Sequence, residues 1–147
     1  MANRKDSKLV VRRGGRVLMV RRARDRRWTF PGGKRKTARE SARRCLHREL
    51  NEELPGLRII RPRLHCKLSQ KDPSTGERTE HAVFVAARVT GRLAIGNASE
   101  IDRAEWRRPY GVRLTSAARV IRDELFAQAR PARRRGRICA PLRSRRR

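Results

Sequence analysis

The sequence predicts a single domain of strands and two helices, an α+β fold or a layered α/β/α sandwich. Three observations point there. Short Val- and Leu-rich runs of strand length recur between residues 8 and 106, one helical segment free of Gly and Pro sits among them at 40–54, and an amphipathic segment closes the domain at 116–128. The chain has 147 residues, enough for one real core and too few for two ordinary domains with linkers.

Lys8 to Arg12 and Arg16 to Arg21 are apolar-rich runs separated by Gly14-Gly15, which can adopt the positive φ of a tight turn, and they predict a β-hairpin. Arg22 to Arg27 is polar and reads as a loop. Trp28-Thr29-Phe30 is a brief strand ending at Pro31-Gly32-Gly33, where the backbone can turn sharply or approach a ligand, and a basic loop follows at Lys34 to Arg39. From Glu40 to Leu54 good helix formers dominate, and Leu46, Leu50 and Leu54 form one apolar stripe that Pro55-Gly56 ends. Strands are expected at Leu57 to Ile60, Arg63 to Leu68, His81 to Val89 and around Ala104 to Trp106, with a loop from Ser69 to Arg78. In the closing helix, Ser116 to Gln128, the inward residues are expected to be Ala117, Val120, Ile121, Leu125 and Phe126. The domain thus spans 1–129, and 130–147 is an Arg-rich segment without acids that is expected to be disordered.

Lys and Arg number 41 against 14 Asp and Glu, a formal charge of +27, so polyanions are the expected partners. A bias towards Arg that merely solvates the surface explains the same charge. Three cysteines at wide, unmatched spacing suggest neither zinc nor a disulfide framework, and reduced thiols are expected. No apolar run reaches membrane-spanning length and the N-terminus lacks a signal-like apolar core, so a soluble, cytoplasmic protein with no membrane partner is expected.

Four of the 14 acids fall at Glu40, Glu49, Glu52 and Glu53. At about 100° per residue the last three, at i, i+3 and i+4, share one patch of a helix, where their repulsion needs compensating cations. Neighbouring arginines such as Arg48 or a bound divalent metal could serve, and carboxylates alone do not choose between them.

Gly33, Glu40, Arg48-Glu49-Leu50-Asn51-Glu52-Glu53 and Gly56-Leu57 together resemble the Nudix box, G-x5-E-x7-R-E-U-x-E-E-x-G-U with U a bulky apolar residue. The match is complete from Glu40 to Glu53. Trp28 to Gly33, the strand at Val17 to Val20, and Glu100-Ile101 with Glu105-Trp106 extend the likeness over about residues 8 to 128. Two departures flank the helix: six residues separate Gly33 from Glu40, with Arg39 where Gly is usual, and Pro55 adds one residue before Gly56. Loop residues are absorbed at modest cost, so the carboxylate register should survive.

The resemblance implies a Nudix-like fold, an α/β/α sandwich with a mixed β-sheet, and a metal-dependent hydrolase that cleaves a phosphoanhydride in a nucleoside diphosphate linked to another moiety. It implies that Glu49, Glu52, Glu53 and the Gly32 carbonyl hold magnesium or manganese. It further implies that Arg48 fixes the glutamates, that Glu40 stands at the edge of the site, and that Glu49 or Glu100 is the general base, with Glu49 favoured. Asp102 and Glu105, like Glu100, could equally balance local arginines. His47, His65 and His81 lack metal-ligand spacing, and Cys45 is expected to pack. Trp28, Phe30, Phe84, Trp106 and Tyr110 could stack on a base, though at least two of the first four should be core fillers. A different class of function, a weakly active or inactive Nudix-fold module holding RNA or another polyanion, fits the charge. The basic tail could bind nucleic acid under either reading or be a solvated extension, and nothing fixes the oligomeric state.

Overall fold

The computed structural model describes residues 3–126 and residue 142. The strands are β1 (Arg4–Val10), β2 (Arg12–Arg13), β3 (Arg16–Arg22), β4 (Trp28–Thr29), β5 (Gly32–Lys34), β6 (Leu57–Ile60), β7 (Arg63–Lys71), β8 (Arg78–Val85), β9 (Arg88–Gly91) and β10 (Ile101–Arg107). The helices are α1 (Ala42–Glu53) and α2 (Ser116–Phe126). One sheet has the order β5-β1-β8-β7, with β1 and β8 parallel and the other pairs antiparallel. A second has the order β10-β3-β2 with β4 beside β3, and β6 pairs with β9.

Period-two alternation sorts side chains onto two faces. Leu9, Val11, Leu18, Val20, Ala82 and Phe84 pack with Leu46 and Leu50 of α1 and with Leu54, which caps its C-terminus. Their neighbours Val10, Val17, Met19 and Val83 pack instead with Ala118, Ile121 and Leu125 of α2. The strands therefore lie between two helices, each with its own apolar layer, which is the expected α/β/α arrangement. Ser41 caps α1, its hydroxyl accepting from the Arg44 N–H at 3.1 Å.

Several local expectations are corrected. The hairpin is shorter, because only β2 returns along β3 through Gly14-Gly15 while β1 leaves for the other sheet. Both sheets need an apolar strand at this point, and the continuous apolar run from Leu9 to Val11 serves both. Gly32 and Gly33 form the edge strand β5 and not merely a turn. The run His81 to Val89 divides at Ala86-Ala87, where the chain passes from β8 to β9. In α2 it is Ala118 that is fully buried, while Ala117 lies at the edge of a cleft.

Cys45 is free and buried, as expected, but Cys66 is disulfide-bonded; proximity in the fold decides pairing, and spacing in the chain does not. The expected basic tail lies outside the described residues except for Leu142. Its N–H donates to the Leu125 carbonyl at 3.0 Å and its side chain packs beside the α2 layer. No helix among the described residues is long and apolar enough to cross a membrane.

Candidate active site

On the face of the first sheet that carries Val10 and Val83, the apolar layer gives way to a polar strip. Asp6 pairs with His81 in register on the neighbouring strand, and Lys8 sits opposite Gly32 on β5. These residues, the start of α2 and the loops at 22–24 and 99–101 enclose a cleft of about 860 Å³. The C-terminal half of α1 brings Glu49 and Glu53 to it.

Glycine is required where α1 meets β5. At Gly32, with φ 136°, a Cβ would lie 1.9 Å from the Ser7 carbonyl oxygen, and one at Gly33 would lie 2.4 Å from the Glu49 carboxyl carbon. The bare edge strand thus lets both carboxylates stand against its backbone. Glu53 is 6% exposed and accepts the Gly32 N–H at 3.2 Å. Burial pushes its carboxyl up to about 7; Lys8 and the Gly32 N–H oppose this, whereas Glu49 and Glu100 add to it by repulsion.

Arg48 is the organising cation. Its guanidinium forks onto Glu40 at 2.7 and 2.9 Å, donates to Glu49 at 2.9 Å and to the Lys34 carbonyl at 2.9 Å. The bonds to Glu40 and then Glu49 raise the Arg48 pKa, and the fork holds the Glu40 carboxyl down at about 2. The added residue before Glu40 has been absorbed in the loop, since Glu40 still meets Arg48 and Glu49 still meets Gly33.

Glu52 lies elsewhere. It points to Arg48 at 3.4 Å and Lys36 at 3.8 Å, half exposed, and does not line the cleft. The three helix carboxylates therefore do not converge, and no group of three His, Cys, Asp or Glu side chains among the described residues is gathered as a metal cage. Glu100 does reach the cleft from the β9–β10 loop. Asp102 and Glu105 take the structural role: Asp102 receives both arms of Arg21 at 2.7 and 3.0 Å, and Glu105 pairs with Arg103 and Arg107.

The donor set suits a hard cation. Glu49, Glu53 and Glu100 face one cleft, burial and then repulsion from the other two raise the Glu53 carboxyl, and hard oxygen donors are the chemistry magnesium and manganese prefer. None of the aromatic candidates lines this cleft. Trp28, Phe30 and Phe84 are core fillers, the Arg13 guanidinium covers Trp106 at 4.1 Å, and the Tyr110 hydroxyl donates to the Phe126 carbonyl at 2.9 Å.

Sequence reasoning missed Asp6, Lys8, Gln70 and the position of His81. His81 is 2% exposed, with Nδ1 2.6 Å from Asp6 and Nε2 2.9 Å from Gln70, and all three line the cleft. The available signal was polar residues inside strand patterns, at Asp6 and His81, but only the pairing of β1 with β8 puts them together.

The family model described as NUDIX domain matches residues 4–128. The chain belongs to the Nudix family. The MutT Nudix hydrolase from Burkholderia pseudomallei has a similar structure, with a TM-score of 0.72 and 26% identity over 82% of this chain and 95% of that one. The mutator MutT protein from Bacillus halodurans gives 0.64 at 21% identity, covering 80% of this chain and 78% of its own. The Nudix domain of Shewanella oneidensis NrtR, solved with ADP ribose, gives 0.67 at 17% identity, covering 82% and 84%. The last two likenesses show the fold alone. No curated protein sequence matches the chain significantly. Membership in the family, with the MutT-type hydrolase beside it, makes this Nudix protein a pyrophosphohydrolase, an enzyme acting on acid anhydrides.

Proposed function

We propose that this Nudix protein hydrolyses, with a divalent metal, the phosphoanhydride bond of a nucleoside diphosphate linked to another moiety. The observation that carries this is the meeting of Glu49, Glu53 and Glu100 in one cleft beside the side-chain-free Gly32-Gly33 strand. Glu49, Glu53 and the Gly32 carbonyl are the residues to hold magnesium or manganese, with Glu52 joining if it exchanges Arg48 and Lys36 for the cation. When bound, the cation supplies charge neutralisation at the phosphate oxygens. Arg48 holds Glu49 in place, and Glu49 or Glu100 takes the proton from the attacking water as the P–O–P bond breaks. Lys8, Arg22 and Arg24, all lining the cleft, orient the anionic substrate. ADP ribose, seen with the NrtR domain, is of the proposed substrate class.

The test is metal-dependent release of phosphate, pyrophosphate or nucleoside monophosphate from a nucleotide panel that includes capped and triphosphorylated RNA. Glu49→Gln and Glu53→Gln should abolish turnover that the wild type shows with magnesium or manganese. Turnover unchanged in chelator, or in both variants, would remove the proposal. Glu52→Gln, measured alongside, reports whether Glu52 joins the site.

Two further parts belong to the same proposal. The Arg-rich segment at 130–147 tethers the enzyme to nucleic acid through its phosphates. The setting is the cytoplasm, where nucleotide substrates are supplied; the Cys66 disulfide is the observation against it, and localisation of a tagged full chain decides.

A further inference from the structure

Immediately beyond the cleft lies a second cavity, of about 410 Å³, which none of the carboxylates discussed above enters. It is lined by Arg4 and Lys5 of β1, by Lys34, Arg35 and Lys36, and by the uncharged Asn3, Thr37 and Ala38. Five cations thus surround one space whose lining includes no acid. Arg4 and Lys34 also line the catalytic cleft, so the two spaces share a wall.

The acidic groups nearest these cations lie outside the cavity and satisfy only part of the charge. Glu77 pairs with Arg4 at 3.4 Å, Glu52 pairs with Lys36 at 3.8 Å, and Glu40 accepts the Lys36 backbone N–H at 3.1 Å. Lys5, Lys34 and Arg35 have no ion pair with an acid among the described residues. The Arg35 backbone is fixed, its N–H donating to the Lys5 carbonyl at 3.0 Å, which continues the β1–β5 pairing. Its side-chain Nε is buried and has no hydrogen-bond partner among the described residues. Arg35 as a whole is only partly buried, so a turn of its side chain brings this unpaired donor to the cavity, where a phosphate oxygen is the acceptor whose geometry the planar fork matches.

We propose that this cavity binds a phosphate group of the substrate that lies beyond the bond being cleaved. Arg35 is the specificity-determining residue, with Lys5 and Lys34 beside it. The inference rests on the cleft being the hydrolytic site, and it narrows the substrate to a chain of phosphates longer than a single diphosphate linkage. The spacing agrees. Arg35 follows Gly33, the residue against Glu49, by two positions, about 7 Å along an extended strand, so a phosphate chain leaving the carboxylates along β5 enters the cavity at once. The abundance of Arg and Lys does not account for this arrangement, because solvated surface charge does not bury a guanidinium donor without a partner.

Binding is tested first on the full chain in chelator, with tripolyphosphate and inorganic phosphate as separate probes, followed by calorimetry. Tripolyphosphate should bind well and inorganic phosphate poorly, and Arg35→Gln and Lys5→Gln should each weaken tripolyphosphate about tenfold. The equal-charge control Arg58→Gln, on an exposed position of β6, should change it less than about twofold by comparison. Equal weakening by the control, or none in Arg35→Gln and Lys5→Gln, overturns the proposal, as does inorganic phosphate binding as tightly as tripolyphosphate. In turnover, Arg35→Gln should raise KM about tenfold for a nucleoside triphosphate or a tetraphosphate-linked dinucleotide and leave KM for ADP ribose unchanged, with kcat within about twofold for each. An equal effect on ADP ribose overturns the specificity claim. Absence of hydrolysis across all substrates removes the hydrolytic reading, and the chelator experiment then still decides whether the cavity takes phosphate.

Discussion

Glu53 shows how a single residue trades stability for a site. Its carboxyl is buried and held at about 7, above the value near 4.5 that it has in the unfolded chain. Between those values the folded protein binds the extra proton, so this group favours the fold at low pH and loses that contribution as pH rises through about 7. Glu53→Gln keeps an acceptor for the Gly32 N–H and removes the charge. In chelator at pH 8 the variant should be more stable than the wild type by about 1–3 kcal/mol, and at about pH 4, below the unfolded value, the two should unfold together. Thermal melts at both pH values measure it, and a less stable variant at pH 8 would contradict the account. Asp6 carries the opposite expectation. Asp6→Ala leaves buried His81 without the partner of Nδ1 and should cost about 1–3 kcal/mol, read from the urea midpoint.

At the scale of the element, α1 is built by an apolar stripe on one side and by Arg48 on the other. Leu46, Leu50 and Leu54 were legible from their spacing, as was the Glu40 to Glu53 register, because both follow from helix geometry alone. The direction of each carboxylate was not legible. Glu49 and Glu53 are drawn to the glycine pair of β5, while Glu52 is held by Arg48 of α1 and by Lys36 from the loop after β5, and that choice depends on neighbours outside the helix pattern. Arg48→Lys keeps one charge but cannot fork onto Glu40 and reach Glu49 together. It should lower kcat about tenfold or more and lower Tm by a few degrees at most, since packing of the Leu stripe is untouched. Steady-state kinetics with a melt check both, and an unchanged kcat would deprive Arg48 of its positioning role.

For the whole molecule the dominant quantity is the net charge of +27, and nine of the Arg residues lie in 130–147. If that segment tethers the enzyme to nucleic acid, the logarithm of the affinity for single-stranded RNA should fall linearly with the logarithm of salt concentration. Removal of 130–147 should then make the slope shallower by about 0.7 for each phosphate that the segment neutralises. Filter binding across salt concentrations measures the slope, and full affinity in the truncated chain would sink the idea. Catalysis on small nucleotides should be little changed by the same truncation as long as the Leu142 packing beside α2 proves dispensable, which the melting temperature reports.

The sequence by itself determined the family, the α/β/α class and the spacing of the box glutamates. All of these follow from local periodicity and from a motif contained in one loop, one helix and one turn. Tertiary structure decided which chemistry-bearing residues share a space. The parallel pairing of β1 with β8 joined Asp6 to His81 across 75 positions, the glycine edge strand admitted Glu49 and Glu53, and the folding of β5 along β1 set Arg35 beside Lys5. Such groupings depend on strand order and register between distant segments, which no local pattern specifies.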